Sequence, residues 1–168
     1  IPGDCGDEYR KPPFLTASGD LTDHLDQMPL PYDKTPVPHR PDANRVVSGS
    51  KWEGIAGYCR AQRIGDRILI SGTTATAGTD RAVASQDAGA QTTFILDKIT
   101  GTLAALGSAP EDVIRTRIYL VDEADTLAVS NAHGKVFGEI KPANTLVVVA
   151  KLGGGYRVGI EAEALVRG

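Results

Sequence analysis

Cysteine, long apolar runs and charge of one sign are all scarce in this chain. Its 168 residues hold two cysteines, Cys5 and Cys59, too few for a disulfide scaffold and without the spacing of a zinc site. A single pairing between them stays open, since an oxidising compartment would permit it. No apolar run approaches the roughly 18 residues of a membrane span, so a transmembrane helix is excluded. The net charge is −3 and the pI about 5.6, which offers no general attraction to a phosphate backbone. A basic surface interleaved with aromatics is also missing, so nucleic acid is not an expected partner. No signal-peptide pattern is present, and the expectation is a soluble, cytoplasmic protein. The first residue is Ile1 rather than methionine, which processing or trimming would each explain.

What is there divides the chain in two. Residues 1–45 carry eight of the ten prolines, and eight acids against five bases give that segment all of the net charge. It reads as a proline-rich acidic arm, extended around Pro29–Pro38 and able to dock through Leu15, Leu21, Leu25, Met28 and Tyr32. A short helix over residues 18–28 is capped by Ser18, and its acids with His24 make a solvated face more readily than a metal site.

Residues 46–168 read as one α+β domain. Two strands, 56–63 and 67–72, are joined by Gly65-Asp66, and the run Arg67-Ile68-Leu69-Ile70 predicts a strand buried on both faces. A helix over 85–106 repeats Ala88, Ile95, Ile99, Leu103 and Leu106 at helical spacing and stops at Gly107. A strand over 113–121 follows, then a helix from the cap Asp122 to Phe137. Strands 144–151 and 157–166 flank the Gly153-Gly154-Gly155 connection, and the last alternates Val158, Ile160, Ala162 and Ala164 against Gly159, Glu161 and Glu163. This order predicts a mixed β-sheet with two helices packed on one face. Leu146, Val148 and Tyr119 are then expected on the opposite face, which favours oligomerisation.

Single residues that tempt a catalytic reading are weak when taken alone. His133 titrates near neutrality, yet it lies on the apolar stripe of its helix and reads as packed against the sheet. Cys59 lacks an assignable activating base. The triple glycine has no strand–loop–helix context for a phosphate loop.

Taken together, the motifs resemble one family. Gly57-Tyr58-Cys59-Arg60-Ala61 resembles a G-P-Y-S-Q-A segment, and Ile70-Ser71-Gly72-Thr73 resembles a strand ending in S-G-Q. Gln91 opens the long helix, Asp112-Val113-Ile114-Arg115-Thr116 resembles D-V-V-K-T, and Val129-Ser130-Asn131-Ala132 resembles V-N-x-x-Y. Pro142-Ala143-Asn144 resembles P-A-R, and Ile160-Glu161-Ala162-Glu163-Ala164 resembles I-E-A-x-A. Colinear over residues 52–166, these segments are similar to the YjgF/RidA family. The resemblance implies a chorismate-mutase-like fold, a homotrimer with clefts between subunits, and hydrolysis of 2-imino acids to keto acids and ammonia. It implies neither a cofactor nor a metal.

The same resemblance places Tyr58, Ser71, Gly72, Thr73 and Asn131 around a substrate pocket. It also exposes two departures. Asn144 stands where the family's arginine grips a carboxylate, and Gly159 aligns with the glutamate that positions water. Asparagine supplies no cationic fork and glycine supplies no base. Glu161, with Tyr58 and Asn144, is the candidate catalytic set, and Arg60 and Arg157 are the candidate anion-binding residues. Three readings follow: a small-molecule enzyme acting on an imine, enamine or enol-type substrate by hydrogen-bond and acid/base chemistry, a ligand-binding protein without turnover, or an imine deaminase with a rearranged site.

Overall fold

A computed structural model describes residues 44–77, 81–84 and 86–167. The arm through residue 43, its helix and docking residues, and the Cys5 half of the proposed disulfide lie outside the described residues.

Six strands form one sheet in the order β1-β2-β3-β8-β6-β7. They are β1 (Arg45–Val46), β2 (Ala61–Ile64), β3 (Arg67–Thr74), β6 (Val113–Leu120), β7 (Ala143–Val148) and β8 (Val158–Leu165). The β6–β7 pair is parallel and its neighbours are antiparallel, so the sheet is mixed as expected. A two-stranded ribbon, β4 (Thr76–Ala77) with β5 (Arg81–Ala82), follows β3. Helices α2 (Ala88–Ala105) and α3 (Thr126–Phe137) supply Ile95, Leu96, Ile99, Leu103, Val129 and Phe137 to the core. The sheet answers with Ile68, Ile70, Ile118, Leu120, Val158 and Ile160.

Capping chemistry sets the helix ends. Asp87 accepts a bond from the Ala90 amide at 2.8 Å, so α2 begins at Ala88 rather than at 85. Gly107 takes a φ of 72° and lets the Gly107 and Ser108 amides cap the last turn. Asp122 accepts from the Ala124 amide and caps a 3-10 turn that leads into α3.

Three expectations need correction. The first strand does not begin at residue 56: Lys51–Ala56 is a short helix, α1, and strand pairing starts at Ala61. Ser50 caps α1 and Gly57 ends it at a φ of 68°, so local caps override the alternation around Tyr58. The second strand is buried on one face only, with Ile68 and Ile70 inside and Leu69 42% exposed, because both long helices cover the same side. Leu146 and Val148 do not face away from the helices. The parallel register places them beside Ile118 and Leu120, whereas Val147 beside Tyr119 takes the open face.

Candidate functional site

The pairing of β3 with β8 shifts register between Ile70 and Thr73, which places a bulge at Ser71 and Gly72. Beside it, α1, the Tyr58–Arg60 approach to β2, one face of α2 and the Gly153–Gly155 turn enclose a cleft of about 880 Å³. Tyr58, Arg60 and Gly72 line it together.

Arg60 is fixed rather than free. Its Nη1 donates to the Gly72 carbonyl at 3.3 Å and to Thr73 Oγ1 at 3.0 Å, and its Nη2 reaches Ser48 Oγ at 3.5 Å. Thr73 is fully buried and donates to the Ser71 carbonyl at 2.9 Å, so it anchors the cleft from beneath. Ser71 turns the other way: its hydroxyl donates to the Cys59 carbonyl at 2.7 Å and it faces a smaller hollow of about 210 Å³ on the open sheet face. Glu161 lines that hollow and accepts from Arg117 Nη1 at 2.7 Å, while Glu163 lies 3.4 Å from the same nitrogen.

The remaining candidates stand elsewhere on the domain. Arg157 Nε donates to Asp125 at 2.7 Å and its backbone amide donates to Gln91 Oε1 at 3.0 Å, which holds it at the start of α3. Asn144 Nδ2 donates to Thr116 Oγ1 at 2.9 Å, and that buried hydroxyl lies 3.0 Å from His133 Nε2. Asn131 is exposed on α3. His133 packs against Phe137 with ring centroids 4.7 Å apart, and burial pushes its pKa below the usual value. Within one chain, therefore, Tyr58, Arg60 and Gly72 come together and Ser71 joins Glu161, whereas Asn131, Asn144 and Arg157 join neither group.

At Gly159 an added Cβ would meet Leu152 at 3.6 Å and Thr74 at 3.8 Å. These are ordinary contacts, but a longer side chain would press on Leu152.

Two cleft residues, and one behind the cleft wall, escape the sequence reading. Lys98 Nζ donates to the Thr74 and Thr76 carbonyls at 3.2 and 3.1 Å and lies 5.8 Å from the centre of the Phe94 ring. Burial first, and then the Arg60 charge, push its pKa down. Tyr156 accepts a bond from Thr76 Oγ1 at 2.7 Å. Glu53 braces the loop before α1. It is pushed up by burial, yet bonds from Ser48 N, Ser48 Oγ and Gly49 N, with help from the Arg60 charge, hold it below the usual carboxylate range. The available signal was Phe94 and Lys98, four residues apart on one helix face. Among the described residues no group of three or more His, Cys, Asp or Glu is arranged to hold a metal, and no helix is long and apolar enough to cross a membrane.

Comparison with known proteins gives a consistent match. The family described as endoribonuclease L-PSP matches residues 49–166. The uncharacterized protein SCO2049 of Streptomyces coelicolor is 40% identical over 105 residues, covering 62% of this chain and 78% of its own length. The 3-aminoacrylate deaminase RutC of Acinetobacter baylyi is 30% identical over 95 residues, covering 56% of this chain and 75% of its own. The crystal structure of Rv2704 from Mycobacterium tuberculosis, described as a member of the YjgF/YER057c/UK114 family, superposes with a TM-score of 0.65. It shares 38% identity and covers 73% of this chain and 98% of its own. The YjgF gene product of E. coli gives a TM-score of 0.62 at 25% identity, over 76% of this chain and 96% of that one.

Proposed function

Because this chain belongs to the YjgF/RidA family, whose match spans residues 49–166, we propose that it is a small-molecule enzyme acting on an imine, enamine or enol-type substrate. A coarse imine-deaminase-like role fits the family, and the relative named as a 3-aminoacrylate deaminase acts on an enamine by its name. The finer reading is that the standard 2-imino acid hydrolysis gives way to a variant reaction carried by hydrogen bonds and acid/base groups.

The observation that carries it is the contrast between a cleft beside Tyr58 and Gly72 and two replaced groups. Tyr58, Arg60 and Gly72 stand together at the cleft, while Asn144 and Gly159 occupy the positions that the resemblance assigns to an arginine and a glutamate. In this reading the Tyr58 hydroxyl and Asn144 stabilise charge as it develops on the substrate, and Glu161 is the base. An enamine first gains a proton at its β-carbon and becomes the imine; water then adds across the C=N bond, and the adduct passes its hydroxyl proton to nitrogen and expels ammonia, leaving a carbonyl product. Tautomerisation or hydration would use the same proton movements without loss of nitrogen.

The groups that stand apart in one chain are brought together, in this proposal, by neighbouring subunits of a homotrimer. Support comes from the open sheet face, where Leu69 and Val147 are 42% and 40% exposed. A second reading, ligand binding without turnover, is favoured by one specific contact: Glu161 is already engaged by Arg117 at 2.7 Å.

The test is ammonia release from 2-imino acids generated in situ by an amino-acid oxidase, and from 3-aminoacrylate, with Gly159→Glu plus Asn144→Arg as a rescue control. Turnover of the enamine with little turnover of imino acids supports the proposal. Silence on every substrate, followed by imino-acid activity in the double variant, removes deamination and leaves an intact pocket used for chemistry without loss of nitrogen or for binding alone. Efficient imino-acid turnover by the parent protein makes ordinary deamination with a rearranged site the correct reading.

A further inference from the structure

The cleft is built from donors. Among its described lining residues there is no aspartate or glutamate, whereas Arg60 and Lys98 both stand in it. Glu53 stands outside the lining; its carboxylate accepts from Ser48 and Gly49 and offsets part of the Arg60 charge, which leaves Lys98 unpaired by any carboxylate among the described residues.

Several donors remain uncommitted once the internal bonds are assigned. Lys98 uses two of its three N–H groups on the Thr74 and Thr76 carbonyls, which leaves a third. Tyr156 receives the Thr76 hydroxyl proton and keeps its own to give. Arg60 Nε is buried with no partner among the described residues. A buried donor of that kind carries a desolvation cost until something accepts from it. Around these groups stand the aromatic faces of Trp52, Tyr58 and Phe94.

We propose that this cleft binds a small organic carboxylate with a planar ring or conjugated body, its acid group held by Lys98 and Arg60 and its body lying against the aromatic walls. The inference rests on the enzymatic reading above and deepens it. The substrate's acid group is gripped by two cations of this chain, one from α2 and one from the approach to β2, and not at the position where Asn144 stands. A carboxylate satisfies the third N–H of Lys98 and the Tyr156 hydroxyl, with the Arg60 charge beside it, and a charge-assisted bond in a partly enclosed cleft is stronger than a neutral one. A cationic ligand would meet two like charges, and a neutral one would leave the ammonium without an anion.

The chain carries its own reporter, because Trp52 is the sole tryptophan and lines the cleft. The full-length protein is titrated with phenylacetate, phenylacetamide, phenethylamine and acetate, reading Trp52 emission. The expected result is a saturable change with phenylacetate and affinity at least about tenfold weaker for phenylacetamide, with no binding of phenethylamine. Acetate, lacking the ring, should also bind at least about tenfold more weakly. Lys98→Met should weaken phenylacetate about tenfold or more, and Lys98→Arg should restore most of it. Equal binding of the acid, the amide and the amine overturns the proposal and requires no variant. An unchanged phenylacetate affinity in a folded Lys98→Met protein overturns it as well.

Failure here is distinguishable from failure of the enzymatic reading. Phenylacetate binding without ammonia release from any substrate keeps the carboxylate site and removes the deaminating reaction. Ammonia release that neither phenylacetate inhibits nor Lys98→Met alters keeps the enzyme and removes the site.

Discussion

The cleft and the open face of the sheet both hold charged side chains and treat them in opposite ways. On the open face charges alternate and neutralise one another: Arg117 lies 2.7 Å from Glu161 and 3.4 Å from Glu163, and Arg67 lies 3.9 Å from Glu163. In the cleft, Arg60 and Lys98 bond to backbone carbonyls and hydroxyls instead of carboxylates. A carbonyl accepts a hydrogen bond without cancelling a full charge; Glu53 offsets part of the Arg60 charge, and the Lys98 charge survives in the cleft. An ion-paired surface suits a contact with another polypeptide, whereas an unneutralised cation in a hollow suits a small anion. Changes that act on both regions test whether this contrast is built in.

The largest expected effect comes from cutting the brace behind the cleft. Glu53 is 8% exposed and accepts from Ser48 N, Ser48 Oγ and Gly49 N. Glu53→Ala strips these donors of their acceptor, at a cost of about 2 kcal/mol to the local structure. The loop lies at one end of the domain, so the loss should appear as local opening: roughly thirtyfold faster hydrogen exchange at the Ser48 and Gly49 amides. Exchange in β8 should stay unchanged. Uniform acceleration across the whole domain would show that Glu53 supports the core and not the cleft wall.

A smaller effect is expected from pH, and it arises on the helix side of the sheet. His133 has its pKa pushed down by burial from an ordinary value of 6.5. The unfolded chain therefore takes up a proton near pH 6.5 while the folded chain resists it until a lower pH. The stabilisation is complete above about 6.5 and is lost as pH falls from there towards the folded-state pKa. Thr116 is compatible with the neutral ring: its hydroxyl accepts from Asn144 and lies 3.0 Å from Nε2, to which it can donate in the tautomer protonated at Nδ1. Thermal melts between pH 7.5 and 5 should show a steeper decline in the parent than in His133→Gln, which keeps an acceptor and does not titrate. Glu53 does not interfere, because its contribution is lost only as pH falls through about the ordinary 4.5 towards its lowered folded-state value, and it is the same in both proteins. Identical slopes in the two proteins would remove His133 from the pH response.

These three regions were not equally legible in the sequence. The long helix was, because Ile95, Ile99 and Leu103 recur at helical spacing and Gly107 stops them. The last strand was, because its alternation is unbroken from Val158 to Ala164. The facing of Leu146 was not, since a strand's parity becomes definite only through its register, here the parallel pairing with Ile118. The family resemblance pointed to Tyr58 and Gly72 but not to Lys98. A lysine on a long helix reads as solvated, and its meaning here depends on two carbonyls 22 and 24 residues away in sequence.

The smallest effect is expected where charges are already matched. Glu161→Gln on the open face keeps the shape of the side chain and removes one of the two carboxylates near Arg117, leaving Glu163 at 3.4 Å to take the guanidinium. Exposed pairs of this kind contribute little, so the melting temperature should stay within about 2 °C of the parent. Phenylacetate affinity should also be unchanged, because the ion-paired face and the cationic cleft are lined by different residues. Catalysis separates the remaining possibilities: if Glu161 is the base, ammonia release falls by a hundredfold or so while binding holds. A fall in phenylacetate affinity with Glu161→Gln would instead mean that Glu161 helps to hold the bound acid as well as serving as base, and the division between a binding cleft and an ion-paired face would be lost.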